Sequence, residues 1–215
     1  MTTHYIHRGL AKKKFKENTI QSFKYCFKRK FGIETDLQVT KDNKLVCFHD
    51  FNLKRKFKLN VNVKDINYPK LKKISNKNKA PIPLLKELLK ISNNKHRLLL
   101  EIKPLLNNQN LMSLVNLTKK KKKIRLFSFK EKNLVNLYKL NKRLSLGLLF
   151  LSNINIRIIK LKSKKPHIKF FGLEKSFLSK KNLTKIKKPI FYYTIKKKDI
   201  FEKYKNKKNL IFENL

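Results

Sequence analysis

From residue 98 onward the chain alternates between two patterns, and that alternation limits its fold more than any other feature. Short apolar runs lie at 98–100, 124–129, 145–150, 168–173, 189–195 and 210–212. Between most of them fall segments with helical apolar spacing, at 132–140, 155–162, 180–187 and 198–205. The run 98–100 is apolar throughout, as expected for a strand covered on both faces. Strands alternating with helices imply βαβ units and a parallel sheet. The chain opens in the same way. Residues 5–7 read as a strand, and Glu17-Asn18-Thr19 leads into a helix carrying Ile20, Phe23, Tyr25, Phe27 and Phe31 until Gly32 stops it. Two more strand candidates, one from Gly32 and one at 45–48, bring the number to nine where a closed (β/α)8 barrel needs eight. One of the nine is therefore not a strand or lies outside the barrel.

The stretch from Gly32 to Asp50, GIETDLQVTKDNKLVCFHD, carries the chemistry. Side chains alternate faces along a strand, so Glu34 and Asp36 share one. Two carboxylates so placed repel unless a cation sits between them or one is protonated. The chain has 13 acids against 56 Lys plus Arg, so two acids on one strand face point to a metal site, with His49-Asp50 as a neighbouring acid/base. Two geometries satisfy the stretch. In one, an extended return pass brings Glu34, Asp36 and His49 to the same end of the sheet, with no helix between the second and third strands. In the other, the stretch is a plain hairpin with charged outer positions. Residues 50–78 are polar and Lys-rich with a thin apolar thread (Leu53, Val61, Val63, Ile66, Leu71, Ile74) and read as an irregular excursion. Pro81 and Pro83 bracket a restart, and 84–92 is an amphipathic helix. The strand at 98–100 ends in Glu101 and Lys103, again two apart, and Pro104 stops it.

A length of 215 residues suits one domain, 1–215, with a substantial core. The formal charge of +43 attracts polyanions in principle. Asn, Ile, Leu and Phe are enriched as well, however, while Gly is 4 and Pro is 6. The rich types have AT-rich codons and the poor ones GC-rich codons, so mutational bias is the main source of the charge. Nucleic acid is therefore not the expected partner, although an anionic membrane surface is compatible with the charge. The lysine run 119–123 reads as a solvated helix end or loop. No span approaches the roughly 20 apolar residues of a membrane helix, and the N-terminus lacks an apolar signal core. Cys26 and Cys47 are expected to be reduced thiols of a cytoplasmic protein. The chain has neither a Gly-x-Ser-x-Gly elbow nor a Gly-rich phosphate loop, which argues against serine hydrolysis and nucleotide-dependent transfer.

Five local patterns stand in order: His7-Arg8-Gly9, Glu17-Asn18-Thr19, Glu34-Thr35-Asp36, His49-Asp50 and Glu101-Ile102-Lys103. All but the second close a strand. Together they resemble the glycerophosphodiester phosphodiesterase family, a metal-dependent TIM-barrel group; the close match covers residues 4–104. Further on, Ser128-Phe129 and Gly147-Leu148-Leu149 resemble two of that family's strands more loosely. Tyr193-Thr194-Ile195-Lys196 stands where the family often has Trp-Thr-Val-Asn, and the chain ends Glu213-Asn214-Leu215 where the family often has a Thr-Asp pair. The resemblance implies a compact (β/α)8 TIM barrel and hydrolysis of glycerophosphodiesters to glycerol 3-phosphate and an alcohol. It implies that Glu34, Asp36 and Glu101 bind one divalent cation. For three carboxylates that cation is Mg²⁺ or Ca²⁺. His7 and His49 would be the acid and base, Arg8 and Lys103 the phosphate grip. Glu17 and Asn18 would support the site or else cap a helix, and Asp50 would orient His49. Tyr193 could form an aromatic wall or belong to the core. Two rival functions fit the same residues: a lysophospholipase-D-like phosphodiesterase, and a non-enzymatic basic protein that binds nucleic acid or an anionic surface.

Overall fold

The computed structural model describes residues 2–12 and 14–214. Eight strands run parallel and close on themselves. They are β1 (Tyr5–His7), β2 (Gly32–Val39), β4 (Leu98–Ile102), β5 (Ile124–Ser128), β6 (Leu146–Phe150), β7 (Phe170–Glu174), β8 (Ile190–Ile195) and β9 (Asn209–Phe212). Each pairs with the next, and β1 pairs with both β2 and β9, which closes the barrel. The ninth strand, β3 (Leu45–Cys47), lies outside it. It pairs antiparallel with the far half of β2, Leu37 opposite Cys47 and Val39 opposite Leu45.

The return pass inferred for 32–50 is thus replaced by the plain hairpin. The hairpin still serves the site, because β2 runs on past Asp36 before turning. The returning chain then comes back level with it, and the Phe48 N–H donates to the Asp36 carbonyl at 2.9 Å. No helix separates β2 from β3. The true link from the second to the third barrel strand does contain helices: α2 (Lys54–Phe57), α3 (Tyr68–Lys77) and α4 (Leu85–Ser92). The supposedly irregular 50–78 segment has its own small core, in which Leu53, Phe57, Val63, Ile66 and Leu71 pack with Val46, Phe48 and Ile82.

Helices on the outside cover the barrel: α1 (Ile20–Lys28), α5 (Asn108–Thr118), α6 (Glu131–Leu140), α7 (Ile156–Ser163) and α8 (Lys198–Tyr204). Their apolar stripes and the outward faces of the strands make the main core. The expected helix at 180–187 does not form; a short 3₁₀ turn, Lys181–Leu183, opens that stretch, just after another at Lys175–Ser179. Leu183 and Ile186 are both buried, and a spacing of three suits a tight turn better than an α-helical stripe. Inside the barrel, Tyr5, Leu99, Phe127, Leu149, Phe170, Phe191 and Ile211 form a separate, largely aromatic layer. Edge-to-face pairs such as Phe170 with Phe191 at 5.5 Å hold it together. This plug fills the lower barrel, so a site built on the strands must lie at their C-terminal ends. Among the described residues no helix is long and apolar enough to cross a membrane.

Candidate active site

Six of the chain's 13 acids gather at the C-terminal ends of the strands: Glu17, Glu34, Asp36, Asp50, Glu101 and Glu213. In a chain with so many cations, that concentration marks the site before any chemistry is assigned. Glu34 and Asp36 project from one face of β2, and β4 lies beside it in parallel with Asp36 opposite Glu101. The pleat therefore brings the third carboxylate to the other two. Glu34, Asp36 and Glu101 each offer an oxygen within 4.8 Å of the others.

The three acids are buried and mutually repelling. Burial, then Asp36 and Glu101, push the Glu34 carboxyl well above the usual range. Burial, then Asp36, push Glu101 up to about 7, against the pull of Lys103 and Arg8. Lys103 Nζ lies 3.3 Å from Glu101 and 3.9 Å from Asp36. The Arg8 Nε is buried 3.2 Å from an Asp36 oxygen without the alignment of a hydrogen bond. Two protein cations thus reach the trio and still leave it strained. Three hard oxygen donors with charge to spare fit a divalent cation such as Mg²⁺ or Ca²⁺.

Asn18 does more than cap a helix. Thr19 is the α1 cap, its side chain accepting from the Ser22 N–H. Asn18, at φ 56°, is buried and spans two neighbours on β2. Its Nδ2 donates to Asp36 at 3.2 Å, and its Oδ1 accepts from Thr35 at 2.7 Å. Glu17 is a junction. It meets Arg8 at 3.5 Å, Arg55 at 2.7 Å and Lys56 at 2.9 Å. Burial acts to raise its carboxyl, but Lys56 and Arg55 hold it down at about 2.

Both histidines are anchored through Nδ1. His7 Nδ1 lies 2.8 Å from Glu213, and its Nε2 is 3.9 Å from Glu34. His49 Nδ1 lies 2.6 Å from Asp50, and its backbone carbonyl accepts from Gln38 at 3.2 Å. A carboxylate at Nδ1 assigns the ring proton there and leaves Nε2 for the solvent side. Burial lowers the His49 pKa, with Asp36 and Asp50 pulling the other way. His7, Arg8, His49, Glu101 and Lys103 line one cavity of about 500 Å³, walled by Phe129 and Tyr193. Tyr193 also donates its hydroxyl to the Phe150 carbonyl at 2.7 Å and meets Phe129 edge-on. It is both wall and packing.

All ten residues singled out from the sequence meet at this end of the barrel. Asp50 stands one step back, touching His49 and Arg55. Sequence reasoning missed Glu213, Arg55, Lys56 and Lys196, the last of which lines the cavity with its Nζ 3.4 Å from Glu213. Glu213 follows β9 as His7–Arg8 end β1, and these two strands are neighbours, so the signal was an acid at a strand end. Glu174, which also follows a strand, accepts from the Ser176 N–H and caps its own turn. Away from the site, Glu87 accepts from the Leu84 N–H and Glu131 pairs with Lys162 and His167.

A Bacillus altitudinis glycerophosphodiester phosphodiesterase is 35% identical over 99 residues, which are 42% of this chain and 40% of that one. A human lysophospholipase D is 39% identical over 72 residues, 33% of this chain and 23% of that one. The match thus spans less than half the length of either relative. Among solved structures, a Thermotoga maritima glycerophosphodiester phosphodiesterase superposes with a TM-score of 0.84 at 22% identity, covering 99% of this chain and 94% of that one. An Oleispira antarctica phosphodiesterase, solved with the product sn-glycerol-3-phosphate, gives 0.82 at 20% identity over 98% and 92%. These two show that the fold is shared. The model of the glycerophosphoryl diester phosphodiesterase family matches residues 7–186, and the chain belongs to that family.

Proposed function

We propose that the chain, acting as one barrel domain, hydrolyses glycerophosphodiesters to glycerol 3-phosphate and an alcohol. One observation carries this reading. Two cations of phosphate-binding type and two carboxylate-anchored imidazoles share one cavity of about 500 Å³ with Glu101, one of three clustered carboxylates, the other two of which, Glu34 and Asp36, lie buried behind it. Glu34, Asp36 and Glu101 would hold a divalent cation, Mg²⁺ or Ca²⁺. When bound, that cation would withdraw charge from a non-bridging phosphate oxygen.

The protein's own groups do the rest. The Arg8 guanidinium grips phosphate oxygens in a planar fork, and Lys103 adds a point charge. The nucleophile is water or the neighbouring glycerol hydroxyl. Its proton passes to Nε2 of one histidine as its oxygen bonds to phosphorus. Nε2 of the other histidine protonates the departing alcohol oxygen as the P–O bond breaks. Glu213 and Asp50 hold Nδ1–H on the two rings, so each Nε2 stays aimed at the cavity. Asn18 fixes the Asp36 carboxylate, and Phe129 with Tyr193 shapes the wall beside the substrate.

A second reading, lysophospholipase-D-like action on single-chain phospholipids, is favoured by one observation. Phe51, Leu105, Phe129 and Leu151 are 55, 52, 41 and 57% exposed, and all four lie just beyond strand ends on the face carrying the site. Cys26 and Cys47 are free and buried, which supports a reducing, cytoplasmic setting.

The test is hydrolysis of glycerophosphocholine and glycerophosphoethanolamine, with a single-chain lysophospholipid in parallel, with and without EDTA. The expected result is turnover that EDTA abolishes and that falls at least about 100-fold in Glu34→Gln and His49→Ala. Undiminished turnover in EDTA would overturn the cation role, and full activity in folded His49→Ala would overturn the acid–base pair.

A further inference from the structure

A second charged cavity lies at the opposite end of the barrel, where the strands begin. It encloses about 470 Å³ around the starts of β1, β2, β4, β5 and β6. Six cations line it: Lys30, Lys95, Arg97, Lys122, Lys123 and Arg125. Among the described residues, none of the six has a carboxylate within ion-pair distance. At the other end of the barrel the cations Arg8, Arg55, Lys56 and Lys103 all have acidic partners.

A lysine-rich chain places lysines together by chance, so the lysines alone prove little. Two scarcer residue types make the difference. Only seven of the 56 cations are arginine. Arg8 and Arg55 serve the candidate active site; Arg97 and Arg125 serve this cavity. Arginine presents a rigid fork that matches phosphate, and lysine does not replace it there. Arg125 is held in place by apolar neighbours, 5.6 and 5.4 Å from the centres of the Phe170 and Phe191 rings. It also reaches the Tyr5 hydroxyl, which is otherwise buried.

The second scarce residue is glycine, present four times in the chain. Gly32 lines the cavity. Its φ lies outside the left-handed region, so the backbone makes no demand for glycine there. Space does. A Cβ at residue 32 would stand 3.0 Å from the Tyr5 ring and 3.1 Å from both the Cβ and the carbonyl oxygen of Arg97. A side chain there would press the Tyr5 ring and Arg97, which shape the cavity, aside by a few tenths of an ångström.

We propose that this basal cavity binds a small anion bearing two or more linked phosphates, separately from the candidate active site. Six cations with no carboxylate partner repel one another, and a multiply charged ligand relieves that repulsion where a single phosphate relieves less. The concavity and its volume suit a small molecule. A nucleic-acid backbone running over the surface would not reach Arg125, which lies against the aromatic plug.

The test is calorimetric titration of the full chain in EDTA at about 0.15 M salt, with orthophosphate, pyrophosphate and ATP in separate arms. The expected result is one equivalent of pyrophosphate or ATP bound at least about tenfold more tightly than orthophosphate. Arg97→Ala and Arg125→Met should each weaken it by about tenfold or more, the value of a charge-assisted hydrogen bond. Arg97 is exposed, so its variant keeps the test valid if Arg125→Met fails to fold. Arg8→Gln, at the far end, should bind as the parent does. Tighter ATP than pyrophosphate identifies a nucleotide; equal affinity identifies an inorganic polyphosphate. Binding unchanged by Arg97→Ala, binding lost in Arg8→Gln, or displacement by a short single-stranded DNA would each overturn the proposal.

Discussion

Replacing Glu101 by glutamine should make the metal-free protein more stable, although Glu101 is one of the three acids proposed to hold the cation. Ionised carboxylate oxygens within 4.8 Å of one another repel by at least about 3.5 kcal/mol per pair at an effective dielectric of about 20. Glu101 faces two such neighbours, Glu34 and Asp36. Lys103, at 3.3 Å, returns about 5 kcal/mol on the same scale. A net cost of at least roughly 2 kcal/mol is left, and burial adds to it. The rise of the Glu101 carboxyl from 4.5 to about 7 corresponds to about 3 kcal/mol at about 1.36 per unit, in fair agreement. A folded-state pKa raised in this way costs nothing below about pH 4.5. The cost grows as the pH climbs and is complete above about 7. The Glu101→Gln change removes the charge but also weakens the Lys103 contact, so the net gain at about pH 8 in EDTA should be about 1–2 kcal/mol. For a chain of this size that is a rise in Tm of roughly 2–8 °C. At about pH 5 the gain should vanish. Saturating Mg²⁺ or Ca²⁺ should raise the Tm of the parent more than that of the variant, since ligand binding adds stability only where the site is intact. Thermal melts at both pH values, with EDTA or with the cation, measure all of this. If Glu101→Gln is no more stable than the parent at the higher pH in EDTA, the trio is not the strained cluster described here.

Three further outcomes follow from other contacts. Asn18→Ala removes both bonds to β2 and leaves Thr35 and Asp36 under-paired, and should cost about 2–3 kcal/mol in chemical denaturation; Asn18→Asp, which adds a fourth carboxylate beside Asp36, should cost more. Glu213→Gln should lower kcat/KM by roughly 10- to 100-fold, as for other groups that orient a functional histidine; because the His7 contact holds the Glu213 carboxyl at about 2, it should also cost some stability above about pH 4.5, a loss that disappears as the pH falls towards about 2. Glu17, held at about 2 by Lys56 and Arg55 against its burial, contributes stability that is fully present above about pH 4.5 and is lost as the pH falls towards about 2. Acid titration of Glu17→Gln should therefore show a flatter loss of stability over that window than the parent does.

What was legible in the sequence was whatever a local pattern determines. Glu34 and Asp36 could be paired because a strand has a period of two. Glu101 and Lys103 could be placed beside them because a buried apolar run ends there. The orientation of β3 could not be read, since Leu45 to Phe48 has the same local character whether it runs parallel or antiparallel. Only the pairing of Leu37 with Cys47 decides that. The helix α5 left little trace because 108–118 carries three asparagines, a glutamine and a serine, and its start is marked by the Asn107 cap rather than by an amphipathic stripe. Glu213 was missed for a deeper reason. Its partner His7 is 206 residues away, and the two meet only because β9 closes on β1. Closure is a property of the whole barrel and is written in no segment of it. The same reasoning explains Arg55, which reaches Glu17 across 38 residues from within an excursion that has no period to read. The groups proposed to touch substrate sit at strand ends, where local pattern locates them. The groups that orient or neutralise them, Glu213 and Arg55, come from whichever element the closed barrel brings alongside. Substitutions at Glu213 and Arg55 should therefore change rate or proton affinity without unfolding the strands that carry His7, Glu34 and Glu101.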